Sequence, residues 1–205
     1  FGATLGLMVY GLNCYVMLIL FLRRRRKAGA ICQDTWRQFE GFLERDRVPV
    51  VTTQIAVFNE MNVVERVMRA ACAMRYPRSR HEIQVLDDST DETRELIDRL
   101  AVELRTQGHD IQVVRRTSRL GFKAGALEHG LHQARGEFIA VFDADFAPPE
   151  DYLVKMIPFF LSDEKLGFVQ ARWGHLNPSA SLLTVVQAIG IDGHFLIEQT
   201  ARGWN

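Results

Sequence analysis

Apolar and charged positions divide the 205-residue chain into two regimes. From Phe1 to Leu22 no charged residue occurs. At roughly 1.5 Å of rise per residue, a helix of that length just spans a hydrocarbon core of about 30 Å. A signal peptide or a buried core helix are the alternatives. A signal peptide carries its positive charge before the apolar stretch and a small-residue cleavage site after it. Here the charge follows, as Arg23, Arg24, Arg25, Arg26 and Lys27, the arrangement of an anchor whose C-terminal side stays in the cytoplasm. The pattern therefore predicts a transmembrane helix over 1–22. Asn13 within it is expected to face another helix, because an unpaired amide in lipid is costly. The chain begins at Phe1 rather than Met, so an upstream N-terminus is expected. Residues 23–48 read as a basic juxtamembrane connector, amphipathic around Trp36, Phe39 and Phe42 and lying on the membrane surface.

From Val50 the pattern changes to short runs rich in Val and Ile, alternating with helical stretches, which predicts a parallel sheet with crossover helices. The first run, Val50 to Phe58, ends at Asn59-Glu60 and leads into a helix through about Met74, which Pro77 stops from continuing. The second, Ile83 to Leu86, ends at Asp87-Asp88. Ser89 and Glu92 then have the spacing of a capping box for a helix to about Gln107, with Gly108 as its stop. A third strand, Ile111 to Arg115, precedes a glycine-containing turn and a helix from about Lys123 to Ala134, stopped near Gly136. The fourth, Phe138 to Phe142, ends at Asp143-Ala144-Asp145. A helix over Pro149 to Leu161, a strand over Phe168 to Ala171 and a long helix over Ala180 to Thr200 complete the order. Polar residues thus sit at the carboxyl ends of strands, where open α/β sheets bind ligands.

Composition narrows the function classes. The chain is 47% hydrophobic and 24% charged, with a formal net charge of zero, so a general affinity for nucleic acid is not indicated. Cys14, Cys32 and Cys72 are odd in number and widely spaced, which yields neither a disulfide framework nor a zinc spacing.

Three clusters carry candidate chemistry. Asp143 and Asp145 are two residues apart at the end of a buried-type strand. On an extended segment both carboxylates reach one site, and two hard oxygen ligands suit Mg²⁺ or Mn²⁺, whose shell phosphate oxygens complete. Asp87 and Asp88 end a different strand and precede the cap, so a carboxylate there can accept hydrogen bonds from a nucleobase or ribose. Asp91 and Glu92 are better explained as charge in the first turn of a helix. Gly121-Phe122-Lys123-Ala124-Gly125-Ala126-Leu127 is neither a P-loop nor a dinucleotide fingerprint, but it places backbone N–H groups and one lysine at a helix N-terminus, where anions are favoured. Gly125 is equally open to a second reading, tight packing of helix on sheet. His129 and His132 have a spacing that suits a metal but no third ligand nearby in sequence, and they read as a solvated face. His194, Glu198 and Gln199 share one helical face.

Taken in order, Phe58-Asn59-Glu60, Leu86-Asp87-Asp88-Ser89-Thr90-Asp91, the Gly121–Leu127 stretch, Phe142-Asp143-Ala144-Asp145-Phe146 and Val169-Gln170-Ala171-Arg172-Trp173 resemble the family 2 glycosyltransferases. They resemble in particular the cellulose-synthase-like branch that includes mannan and glucan synthases. The resemblance covers about Val50 to the end of the chain. It implies a GT-A domain, a Rossmann-like α/β nucleotide-sugar-binding unit, over 49–205 and incomplete at its C-terminus. It implies that Phe58, Glu60, Asp87, Asp88 and Lys123 line the nucleoside site. Asp143 and Asp145 are then expected to serve the metal and the sugar diphosphate, with Asp145 the direct ligand. Gln170, Arg172 and Trp173 become part of the wall near sugar or acceptor, although Trp173 also suits a core and Arg172 an ordinary surface charge.

The implied activity is an inverting transfer of a hexose from a UDP- or GDP-sugar to a growing polysaccharide, dependent on Mg²⁺ or Mn²⁺. An acceptor hydroxyl attacks the anomeric carbon while metal and cation neutralise the departing diphosphate. Family members take the general base from an acidic motif further along, with a Gln-x-x-Arg-Trp motif beyond it. Gln170-Ala171-Arg172-Trp173 is one residue too short and too early to be that motif. The base is expected beyond Asn205, and the 205 residues alone are expected to be inactive in transfer. A glycan or lipid-linked acceptor, a membrane and a cytoplasmic catalytic domain, on a bacterial inner membrane or its equivalent, complete the expectation. The alternatives are a non-processive glycolipid or polyprenyl-phosphate sugar transferase, and a non-catalytic nucleotide-sugar-binding subunit on the same fold.

Overall fold

A computed structural model describes residues 2–45 and 47–203. Phe1 and the last two residues of the expected domain lie outside the described residues. The chain forms two compact units, one over Gly41–Ile157 and the other from the first forty residues together with those from Pro158 onward.

The Gly41–Ile157 unit is built on four strands, β1 (Val51–Val57), β2 (His81–Asp87), β3 (Asp110–Val114) and β4 (Phe138–Asp143), all parallel and in the order β3-β2-β1-β4. Each strand starts within two residues of the position that the Val/Ile runs predict. With all four parallel, their carboxyl ends share one edge. The chain steps outward from β1 to β3 and then returns to the far side of β1, so the order reverses between β1 and β4. Such a reversal opens a crevice at the carboxyl edge.

The two faces of the sheet differ in chemistry. One carries Val51, Ile55, Val57, Ile83, Val85 and Ile111, all nearly inaccessible. Helices α2 (Val64–Ala73) and α3 (Thr93–Thr106) pack against each other and over this face with Val67, Met68, Ala71, Ile97, Leu100 and Leu104. The other face, under α4 (Phe122–Leu131), carries polar rungs instead. Thr52 stands opposite Glu82, and Gln54 opposite Gln84. Buried polar groups must find partners, and these do. Thr52 Oγ1 donates to Glu82 (2.5 Å), Gln54 donates to Gln84 (3.0 Å), and the Arg135 backbone N–H and guanidinium both donate to Glu82 (2.9 and 3.1 Å). Burial pulls the Glu82 carboxyl up, but these donors outweigh it and leave it below the ordinary carboxylate value. Gly130 lets α4 settle onto these rungs, since a Cβ there would meet Leu86 at 2.6 Å and Gln54 at 2.8 Å.

Two local expectations fail. The capping box of Ser89 and Glu92 does not form, because Ser89 Oγ accepts instead from the Asn59 N–H (3.0 Å), while Asp91 Oδ1 accepts from the Thr93 N–H (3.0 Å). Phe168 to Ala171 is not a strand, and that stretch is irregular.

In the second unit, α1 (Gly2–Gln38) runs as one helix from the apolar segment through the arginines and most of the expected connector. From Gly2 to Leu22 its side chains are exposed or half-exposed, and the helix is long and apolar enough to cross a membrane. Further along, Ala28 and Thr35 are buried, and Trp36 meets Phe159 edge-on at 6.4 Å. Phe159 belongs to α5 (Tyr152–Ser162), whose Pro158 lies at the division between the units. The predicted long C-terminal helix is interrupted. It appears as α6 (Leu182–Asp192), seven residues of wider π-type winding over Gly193–Gln199, and α7 (Thr200–Gly203). The Arg24 guanidinium donates to the Ala201 carbonyl (2.5 Å), tying α1 to α7.

Candidate functional site

The carboxyl edge of the sheet gathers most of the predicted residues. β1 ends at Val57, and Phe58 and Asn59 follow. Asn59 adopts a positive φ of 56°, which asparagine tolerates better than most residues. In that conformation its Oδ1 accepts from the Thr90 N–H (2.8 Å), and its own N–H reaches Ser89. The loops after β1 and β2 are thereby joined. Glu60 lies next to them, half-buried, and its carboxylate takes no hydrogen bond or ion pair among the described residues.

The register of β2 with β3 sets the next layer. Leu86 stands opposite Val114, so Asp87 and Asp88 run out beside Arg115 and Arg116. Asp87 is wholly enclosed; its carboxylate accepts from Arg115 Nε (2.7 Å) and from the Ser89 N–H (3.0 Å). Its place is therefore beneath the edge, holding it together. Asp88 takes a two-pronged contact from Arg116, at 2.8 and 2.6 Å. The same guanidinium donates to the carbonyls of Leu120 (2.6 Å) and Phe122 (2.7 Å). Asp88 holds the Arg116 cation above its ordinary value. Arg116 thus links the end of β2 to the turn that opens α4. Arg119 lies over the Phe58 ring, its guanidinium carbon 3.3 Å from the centroid. These three arginines received no role in the sequence reading. The available signal was two acidic residues at the end of β2, Asp87 and Asp88, matched by two basic residues after β3.

Gly121 enters the turn with φ 72°, in the left-handed region that glycine favours. At Gly125 a Cβ would lie 2.1 Å from the Leu120 carbonyl oxygen and 2.6 Å from Arg116, so the close approach there is to the turn that opens α4 and not to the sheet, which Gly130 faces instead. Lys123, one residue into α4, forms an ion pair with Asp143 at the end of β4.

The chain turns immediately after Asp143, with the Phe146 N–H donating to the Asp143 carbonyl (3.1 Å). Asp143 and Asp145 are therefore not alternate residues of an extended segment, as the spacing predicts, but two positions of one tight turn. Ala144 points inward and is buried, whereas Asp145 is exposed. The Asp145 carboxylate takes no partner among the described residues, and no group of three or more acidic, histidine or cysteine ligands assembles there. One paired and one free carboxylate suit Mg²⁺ or Mn²⁺, which take one or two protein carboxylates and fill the remaining shell with phosphate and water.

Gln170, Arg172 and Trp173 belong to the other unit. There Gln170 and Arg172 are exposed on the irregular segment, and Trp173 packs on Phe195 with centroids 5.4 Å apart. In the same unit His194 lies 3.2 Å from both Glu198 and Gln199. His129 contacts Gln133 and gathers no ligand set.

The parallel α/β sheet, with acidic turns and a lysine at a helix start along its carboxyl edge, is GT-A-like. Residues 53–183 match the profile described as Glycosyl transferase family 2, and the chain belongs to that family. It is 40% identical over 161 residues to the probable glucomannan 4-beta-mannosyltransferase 7 of Oryza sativa subsp. japonica, covering 77% of this chain and 28% of the relative. It is 41% identical over 155 residues to glucomannan 4-beta-mannosyltransferase 2 of Arabidopsis thaliana, covering 74% and 29%. A probable Arabidopsis thaliana glucomannan 4-beta-mannosyltransferase 1 matches at 36% over 202 residues, covering 96% and 36%. The chain thus spans only about a third of these relatives' lengths. Among solved structures, a mannosyltransferase from Pyrobaculum calidifontis in complex with GDP-Man and Mn²⁺ aligns at 25% identity. The alignment has a TM-score of 0.49 and covers 70% of this chain and 44% of that one.

Proposed function

We propose that the Gly41–Ile157 unit holds the donor of a membrane-anchored hexosyltransferase, a UDP- or GDP-sugar, and that the whole protein adds the sugar to a growing polysaccharide. The relatives' names support mannose as the hexose. The observation that carries the reading is the meeting, at one sheet edge, of the Asp88–Arg116 pair with Lys123, Asp143 and Asp145 in a family 2 chain.

Each residue then has a chemical task. The Phe58 ring supplies a flat apolar surface beside Asp88, whose carboxylate accepts N–H or O–H groups of the nucleoside. Glu60, with no partner of its own, offers a second acceptor. Lys123 stands where diphosphate oxygens are favoured, at the start of α4. A diphosphate entering there competes with Asp143 for the lysine, and release of Lys123 frees Asp143 to face the donor beside Asp145. A divalent cation held by these two carboxylates supplies charge neutralisation for the departing diphosphate. Lys123 adds to that neutralisation at the oxygen where negative charge develops, the kind of electrostatic term that dominates such sites. The apolar part of α1 anchors the chain, and the arginines that follow keep the α/β unit on the cytoplasmic side.

Calorimetric titration of the detergent-solubilised chain with GDP-mannose and with UDP-glucose, each with and without Mn²⁺, tests the donor assignment. The expected result is saturable binding of one donor that Mn²⁺ strengthens and that Asp145→Asn returns to the metal-free level. Absence of binding by both donors refutes the assignment.

A further inference from the structure

Arg66 occupies the first turn of α2, on the helix that follows β1. Its Nη2 crosses to the loop after β4 and donates to the main-chain carbonyl of Asp145 at 2.7 Å. The helix beneath it is firmly seated, since Val64, Val67 and Met68 are fully buried. The guanidinium itself is exposed, so this contact is not a core requirement. On its other side the Asp143–Phe146 turn is fixed by the buried methyl of Ala144 and by the Phe146 N–H to Asp143 carbonyl bond. The peptide plane between Asp145 and Phe146 is thereby held at both ends, its N–H by the Asp143 carbonyl and its oxygen by Arg66.

We propose that Arg66 is a positioning residue for Asp145, locking the turn so that the Asp145 carboxylate faces a divalent cation and the diphosphate that shares it. This rests on the donor reading above. Arg66 touches neither ligand. It acts by restricting the orientation of a ligating carboxylate, as groups behind metal ligands commonly do.

The test compares wild type, Arg66→Ala and Arg66→Lys by the affinity for GDP-mannose and UDP-glucose with and without Mn²⁺, together with the melting temperature. Arg66→Ala is expected to lower the Mn²⁺-dependent gain in affinity about tenfold, while metal-free affinity and melting temperature stay at the wild-type values. Arg66→Lys is expected to restore most of the gain, because a single ammonium donor suffices for one carbonyl. An Arg66→Ala protein with its full metal-dependent gain overturns the proposal. So does an equal loss with and without Mn²⁺, which marks a general charge effect. A wild-type protein that binds neither donor refutes the donor reading itself, whereas one that binds a donor with no metal-dependent gain overturns the proposal alone; both are recognised before any variant is compared.

Discussion

His81 opens β2 at only 7% exposure, with its Nε2 2.8 Å from Thr53 Oγ1 and its ring edge-on to Tyr76 at 6.2 Å. Burial, reinforced by the neighbouring His109 and opposed only by Asp110, lowers its pKa to about 4. The unfolded chain binds this proton near the ordinary value of about 6.5, so between those two values the unfolded state carries more protons. The neutral-histidine contribution is thus complete above about pH 6.5 and is lost as pH falls towards 4. A shift of this size corresponds to roughly 3 kcal/mol. Urea unfolding of the wild type is expected to show stability falling across that window, and His81→Gln is expected to flatten the profile. An unchanged pH slope in the variant would remove His81 as the cause. None of this was legible beforehand, because His81 lies outside the predicted strand and its burial follows from β2 beginning two residues earlier. Asp88 and Asp145, by contrast, announced themselves by standing after Val/Ile runs. What the residues alone left open was partnership. Arg116 meets Asp88 only because Leu86 pairs with Val114, and register is a property of two strands together.

Among the elements, the face of the sheet beneath α4 depends on one carboxylate. Glu82 has a side chain with no exposure, reached by Thr52, Gln112 and Arg135, and Arg135 also pairs with Asp110. Removing one partner of a buried charge leaves the other uncompensated, at a cost of about 3–5 kcal/mol when the pair is fully buried. Here Arg135 is itself 58% exposed, and the Thr52 and backbone donors remain. Arg135→Met is therefore expected to cost less, about 1–3 kcal/mol, in line with the loss of a hydrogen bond to a charged group. Adding Glu82→Gln should recover part of that loss, as chemical denaturation of the single and double variants would reveal. A double variant no more stable than Arg135→Met would show that the charge on Glu82 is not what the arginine serves. The same face shows what patterning can and cannot disclose. Strands and helices were readable because Val/Ile runs and Gly/Pro stops act locally. The Ser89–Glu92 capping box was misread because Asn59, thirty positions earlier in the chain, takes the serine hydroxyl. Phe168 to Ala171 has strand composition, yet no strand of the described sheet accepts it as a neighbour.

At the scale of the molecule, α1 joins a lipid-compatible segment to a run of cations within one continuous helix. Insertion and orientation separate physically, since apolar length drives the first and lysine and arginine placement the second. Arg24 has a structural task in its bond to the Ala201 carbonyl. A clean test therefore keeps Arg24 and changes Arg23, Arg25, Arg26 and Lys27 to glutamine. The apolar segment from Gly2 to Leu22 is untouched, so the variant should remain with the membrane after alkaline extraction. Its topology should become mixed, with part of the population placing the Gly41–Ile157 unit on the opposite side. Protease added to sealed inverted vesicles distinguishes the two forms: with the proposed cytoplasmic orientation the wild-type unit is expected to face outward and be cleaved, while a translocated unit is protected. If the variant is cleaved as completely as wild type, the basic run does not orient the anchor, and access of the Asp88 and Asp145 edge to a cytoplasmic donor has to be secured by another part of the protein.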